Sequence, residues 1–210
     1  MAYNQNTIVN RYGDKSSYDP NTIEGEIGGN NAVLNNTMDD DLYSHMLTEA
    51  AGHWDQTEEG LQDMMDRISF HETGGTRDPK QAQVVVSKNE YGDKSMSEGP
   101  GRGMYQFERG ADQGGATAMQ RLHAYLQERG VEVPDWAEVG EGGVDATQLT
   151  PTQQNMLFLA NARKHPKASF KGVTPENLGE KYWAPYHWAG AEEDTEGHIA
   201  SFEDSMKHYK

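Results

Sequence analysis

Four apolar residues, Leu61, Met64, Met65 and Ile68, recur at the i, i+3, i+4, i+7 spacing that places side chains on one face of a helix. Thr57, just ahead of them, can accept a hydrogen bond from the first turn and so start that helix. An earlier helix is expected from about Asp39, where Leu42, Met46 and Ala50 follow one another at four-residue steps. The acidic run Asp39, Asp40 and Asp41 suits the positive end of such a helix. The spacing returns from Thr117 to Arg129 through Met119, Leu122, Tyr125 and Leu126. Thr150-Pro151 with Gln153 then reads as a capping box with proline in the first helical position. That helix runs through Met156, Leu157, Leu159 and Ala160 and must stop near His165-Pro166. A second Thr-Pro start at Thr174 leads into Leu178, Tyr182 and Trp183, with an end or kink around Pro185. The last amphipathic stretch, Thr195 to His208, aligns Ile199, Phe202 and Met206.

The pattern fails in two places. Between Gly74 and Gly115 the residues turn to Gly, Ser, Lys and Asp, and only 83–86 (QVVV) and 104–107 (MYQF) look like short strands. Residues 1–38 scatter Ile8, Val9, Ile23, Ile27, Val33 and Leu34 among Asn, Gly, Ser and Asp without a sustained period. The string YGDKS occurs at Tyr12–Ser16 and again at Tyr91–Ser95, a shared turn signal too short to define a repeat. The expected organisation is therefore an extended or disordered N-terminal arm, 1–38, and one α+β domain, 39–210. The domain is mostly α, with a small loop-rich β lobe inserted after its second helix.

Composition narrows the partners. Eighteen Lys and Arg stand against 34 Asp and Glu, a net charge of −16, in a chain of 210 residues. Binding to nucleic acid or an anionic membrane depends on cationic side chains displacing counterions, so neither is expected. The apolar fraction of 34 % and mean hydropathy of −0.91 are low for a chain buried throughout, in keeping with an arm outside the core. There is no cysteine, so disulfides and thiolate metal sites are excluded. The opening residues show neither a basic segment nor a continuous apolar run, so no signal peptide is expected, and no stretch is long enough to span a bilayer.

The candidate chemistry centres on Glu72, in the stretch ISFHETGGT (68–76). A zinc-protease reading requires a second histidine four residues after His71, and that position is Gly75, so no metal site is expected. His71 itself suits the end of a helix, where a cation is favoured. Glu72 lies four residues after Ile68 and seven after Met65, on the apolar stripe. Desolvation there favours the protonated form that a general acid needs. Gly74 and Gly75 can end the helix in the left-handed conformation and leave room beside the carboxyl group. The alternative is a glutamate that bends out to water at a frayed helix end. Asp78, Glu90, Asp93 and Glu98 offer a second carboxylate, none with a distinguishing context. Among other residues, Trp183 is expected to be buried with Tyr186 and His187 facing a cleft, and Arg102 and Arg109 to be available to carboxylates.

Four segments in order, ETGG (72–75), GRGMYQFE (101–108), LFLANARKHP (157–166) and YHWAG (186–190), together resemble the lytic transglycosylase and goose-type lysozyme superfamily. The resemblance covers about Asp40 to Lys210 and looks closest to virion-associated phage members. It implies a lysozyme-like helical domain with Glu72 as the catalytic acid. It further implies Thr73, Gly103, Met104, Tyr105, Gln106, Tyr186 and His187 as residues of a sugar cleft, with no cofactor. Thr73 stands where the family has serine, His187 where it has asparagine, and one residue is inserted before Gln106. The implied activity is cleavage of the β-1,4 MurNAc-GlcNAc bond of peptidoglycan, as a lytic transglycosylase giving 1,6-anhydro products. The implied setting is a phage particle, tail or internal, acting at the host periplasm or wall, with residues 1–38 docking on other virion proteins. The alternative is a structural tail or internal virion protein that keeps the fold with little or no activity.

Overall fold

The computed structural model describes residues 31–88, 94–110, 114–139, 143–165, 168–187 and 195–210, without the side chains of 31–37, 86–88 and 187. Two helices lead, α1 (Asn31–Trp54) and α2 (Glu58–Glu72), followed by strands β1 (Ala82–Lys88), β2 (Lys94–Arg102) and β3 (Phe107–Glu108). Helices α3 (Gly114–Gln127) and α4 (Pro151–Lys164) come next. A π-helical turn (Gly179–Trp183) runs directly into α5 (Ala184–His187), and α6 (Thr195–Met206) closes the series. The described chain is thus mostly helical with one small antiparallel sheet, as the pattern implies. None of its helices is long and apolar enough to cross a membrane.

The core gathers around α4. Met156, Leu157, Leu159, Ala160 and Ala162 are all fully buried, and even the polar Gln154 and Asn161 of this helix lie inside. A helix covered on all sides has neighbours on all sides. Leu61, Met64, Met65 and Ile68 from α2, and Ala118, Leu122 and Leu126 from α3, belong to the same apolar cluster. The expected caps form: Thr57 Oγ1 accepts from Gly60 N, and Thr150 and Gln153 make a reciprocal capping box beneath Pro151.

Three expectations need correction. Helix α1 begins at Asn31, so residues 31–38, assigned to the arm, are helical; 1–30 lie outside the described residues, as does Tyr12–Ser16. In consequence the Asp39 cluster is not at the helix start. Asp39 is buried inside α1, where its carboxylate accepts from Trp136 Nε1 at 3.0 Å and Gln153 Nε2 at 2.8 Å. The second correction concerns the lobe. β1 contains the expected 83–86, but its partner is β2, KSMSEGPGR, in register from Lys88 opposite Lys94 to Val84 opposite Glu98. Two glycines and a proline hide this strand from propensity. Residues 104–106 form a turn, and only Phe107-Glu108 pair with β2. Third, Thr174-Pro175 opens a turn rather than a helix. Helical structure starts at Leu178, passes through a π turn closed by Ala184 N donating to Gly179 O, and continues past Pro185 to His187.

Candidate active site

Helix α2 ends in a Schellman motif. Gly75 N donates to Phe70 O at 2.7 Å and Gly74 N to His71 O at 3.1 Å, with φ of +60° at Gly74 and +94° at Gly75. Glycine at both positions fits this left-handed ending, as expected. A Cβ at Gly74 would meet nothing within 4 Å. Glu72 is the final residue of the helix and is half-buried.

Its carboxylate is held from across the molecule. Trp183 Nε1 donates to Glu72 Oε1 at 2.6 Å. The indole comes from the π turn and is buried, as expected. Its ring meets His71 edge-on at 4.5 Å between centroids and lies 5.5 Å from Phe202 of α6. His71 Nδ1 is in turn hydrogen-bonded to Ser205 Oγ at 2.8 Å. His71 therefore joins α2 to α6 and backs Trp183, a fuller role than that of a cation at a helix end.

Thr73 is 4 % exposed. Its hydroxyl donates to Ser69 O and accepts from Arg77 N, both at 2.7 Å. This corrects the expectation of a hydroxyl facing a sugar: Thr73 shapes the turn that carries Glu72. From it a chain of bonds leads to the lobe. Thr76 Oγ1 donates to Thr73 O, and Gln81 O accepts from Gly103 N at 2.8 Å and from Gln106 Nε2 at 3.5 Å. The segment ETGG and the segment GRGMYQFE are thus tied together through residues 76–81.

Gly103, Met104 and Tyr105 are buried, which corrects their assignment as the lining of a cleft. Met104 N donates to Gln154 Oε1 at 2.7 Å, and Tyr105 stacks on Phe158 while its hydroxyl donates to Asn155 Oδ1 at 2.7 Å. Gln106 is only partly buried. It holds φ at +48°, and its Nε2 donates to Gly103 O at 2.7 Å, closing the turn on itself. Its Oε1 is buried among the described residues without a hydrogen bond. The residue that organises this turn is Gln154, whose Nε2 also donates to Pro79 O, Ala146 O and Leu149 O. Sequence reasoning missed Gln154; the capping-box register, which puts it next to Gln153 on the buried helix, was the available signal.

The third and fourth segments also meet. Tyr186 is half-buried on α5, and its hydroxyl accepts from Asn161 Nδ2 of α4, while Arg121 Nη1 donates to Asn161 Oδ1 at 2.6 Å. His165 lies edge-on to the Tyr186 ring at 4.8 Å. Burial pushes the Tyr186 hydroxyl up to about 12, with Arg121 opposing, so the group is a neutral hydroxyl across the physiological range. The side chain of His187 lies outside those described.

Other candidates are placed plainly. Arg102 is buried and paired with Glu98, and Arg109 lies 3.7 Å from Asp145, so both arginines are engaged within the fold. Asp78 is exposed and accepts from Lys80 N at 2.9 Å, while Glu90 and Asp93 lie outside the described residues. Among the described residues no three His, Asp or Glu side chains gather as a metal site. Two surface hollows, of about 230 and 410 Å³, are lined respectively by residues such as Arg67, Glu176 and Met206, and by Leu47, Glu58, Gln62 and Asp66. Neither is lined by Glu72. Comparison of the chain with protein-family models, with curated proteins and with solved structures found no match.

Proposed function

We propose that the protein is a peptidoglycan-degrading enzyme of lysozyme-like fold, a lytic transglycosylase, with Glu72 as both acid and base. The observation that carries this reading is the held carboxylate: Glu72 ends α2, and Trp183 Nε1 donates to one of its oxygens at 2.6 Å. Support comes from contacts between the resembling segments, the first two joined through residues 76–81 and the third to the fourth through Asn161 and Tyr186. Fold class alone does not decide function, so the reading rests on the site.

Hydrolysis by the two-carboxylate route requires a second carboxylate about 5–10 Å away, a role for which no residue of the sequence carries a distinguishing context. A transglycosylase works with one. Glu72 protonates the glycosidic oxygen as the C1–O bond breaks, and the electron pair stays on the leaving sugar. The resulting carboxylate then takes the proton from the substrate's own 6-hydroxyl, whose oxygen closes on C1 to give the 1,6-anhydro end. No water is consumed.

The protein is proposed to belong to a phage particle, with its N-terminal residues on other virion proteins and its glycan substrate in the host wall. A structural virion protein without activity is the second reading. It is favoured by the burial of Thr73, Met104 and Tyr105, which spend their contacts on the fold. Mass spectrometry of fragments released from purified sacculi separates the two. Anhydro-ended muropeptides are expected from the unaltered protein, and Glu72→Gln is expected to lower their release at least about a hundredfold. Reducing ends would instead indicate a hydrolase, and no release from a folded sample would favour the structural protein.

A further inference from the structure

Arg67, Arg77, Arg102, Arg109, Arg129 and Arg163 each lie within 3.7 Å of a carboxylate oxygen. Arg121 of α3 is the exception among the described residues: its hydrogen bonds go to Asn161 alone, and no Asp or Glu pairs with it. In a chain with 34 acidic residues against 18 basic ones, the exception is not for want of carboxylates.

The guanidinium is nevertheless held in place. Its Nη1 donates to Asn161 Oδ1 at 2.6 Å and to Asn161 O at 3.4 Å, and Asn161 is buried in α4 with its Nδ2 donating to the Tyr186 hydroxyl. A planar guanidinium anchored through Nη1 keeps the edge formed by Nε and Nη2, whose two parallel N–H groups match the two oxygens of a carboxylate. That edge has no acceptor among the described residues. The side chain is half-buried, so its charge is screened less than on open surface. Tyr186 follows Trp183 by three residues, and Trp183 Nε1 donates to Glu72. Hydrogen bonds and less than one helical turn therefore connect Arg121 to the candidate acid.

We propose that Arg121, aimed by Asn161, is a binding residue for a carboxylate carried by the glycan ligand. The inference rests on the reading of the Glu72 site as one for peptidoglycan. Such a strand carries carboxylates in two places. MurNAc without its peptide ends in a free lactyl carboxylate, and where a stem peptide is attached the lactyl group is an amide and the carboxylates lie on the peptide. Either presents two coplanar oxygens to the open edge of Arg121.

Calorimetric titration of the full chain with three soluble probes tests this: the disaccharide GlcNAc-MurNAc with its stem peptide, the same disaccharide with a free lactyl group, and chitobiose, which has no carboxylate. None contains a MurNAc-GlcNAc bond, so binding is read without turnover. Expected is at least about tenfold tighter binding of an acidic probe than of chitobiose, lost in Arg121→Gln with the unfolding temperature unchanged. The preferred acidic probe identifies the source of the carboxylate. Should Arg121→Gln not fold, Arg121→Lys replaces it. An ammonium keeps the charge without gripping both oxygens in a plane, so the preference should fall in part. Equal affinity for the three probes, no binding of any, or a preference unchanged in the variant would overturn the site. Cleavage of long glycan strands, measured in parallel, tests Glu72 separately. An Arg121-dependent preference without cleavage leaves the carboxylate site and removes the enzyme; cleavage without the preference does the reverse.

Discussion

A Cβ at position 103 would stand 2.3 Å from Oε1 of Gln154, an atom that already accepts from Met104 N. The close approach of the turn to α4 and the φ of +73° at Gly103 both require glycine. Gln154 is fully buried and holds four backbone groups from three segments, so it cannot swing aside as a surface glutamine would.

Gly103→Ala is therefore expected to cost about 3 kcal/mol, combining left-handed strain with displacement of a bonded side chain. Gln154→Ala should cost about as much, because it strands a buried N–H and three carbonyls. Denaturant titration of the two single variants and the double checks this. Because both act on one contact, the double variant should cost clearly less than the sum; strict additivity would contradict the coupling.

At the end of α2 the two glycines separate. Gly74→Ala meets no steric obstacle and should cost only about 1 kcal/mol for its positive φ. Gly75→Ala also sets a methyl 3.3 Å from the tip of the Phe70 ring and should cost about 2 kcal/mol. Thermal unfolding of both variants decides the order, and equal losses would mean that the Phe70 contact yields freely.

Much of this architecture is legible in the chain because its helices carry their own signals. Leu61 to Ile68 announces α2 by period and cap, and Thr150-Pro151 announces α4. Glu72 is legible for a related reason: its stripe position and the following glycines are local facts. What stays hidden depends on contacts between distant segments. Strand β2 is stabilised by pairing on both sides, which Gly99, Pro100 and Gly101 do not advertise. The start of α1 at Asn31 overrides a weak period, so Asp39 becomes a buried acceptor whose partners are 97 and 114 residues away. Trp183 reads as core, and only the π turn reveals that its N–H reaches Glu72.

Glu49 binds three elements together. Its Oε2 accepts from Tyr125 at 2.7 Å, Arg129 Nη2 at 2.7 Å and Arg163 Nη1 at 3.1 Å, and Arg129 lies over the Tyr125 ring at 3.6 Å. Burial raises the carboxyl, but the hydrogen bonds of Tyr125 and Arg129 and the charge of Arg129 outweigh it and hold the group below its usual 4.5. A depressed folded value contributes stability above the unfolded value, and that stability disappears as pH falls through the folded one. Glu49→Gln should therefore cost about 2 kcal/mol at neutral pH. The gap to the unaltered protein should narrow as pH falls below about 4.5, the ordinary value, toward the lower folded one. Parallel denaturant titrations across acid pH check this; a gap independent of pH would assign the loss to packing.

At alkaline pH the aromatic core should set the limit of stability. Tyr182 is fully buried between Phe170, at 3.9 Å, and Tyr186, at 5.5 Å, and burial raises its hydroxyl well above the ordinary value. Burial does the same for Tyr105 and lifts Tyr186 to about 12. A raised folded value means that the stabilisation is intact below the unfolded value of about 10 and is lost as pH rises beyond it toward the folded values. Each tyrosine that ionises only on unfolding removes about 1.4 kcal/mol per pH unit in that window. Three acting together steepen the decline, so unfolding should be abrupt above about pH 10. Tyrosinate absorbance from this group should rise together with the loss of helical circular dichroism. Tyr186→Phe should shift the transition to higher pH at a neutral-pH cost of about 1 kcal/mol, since Asn161 loses one acceptor but keeps Arg121. Ionisation of the full set near pH 10 with helicity intact would show that water reaches these hydroxyls in the native state.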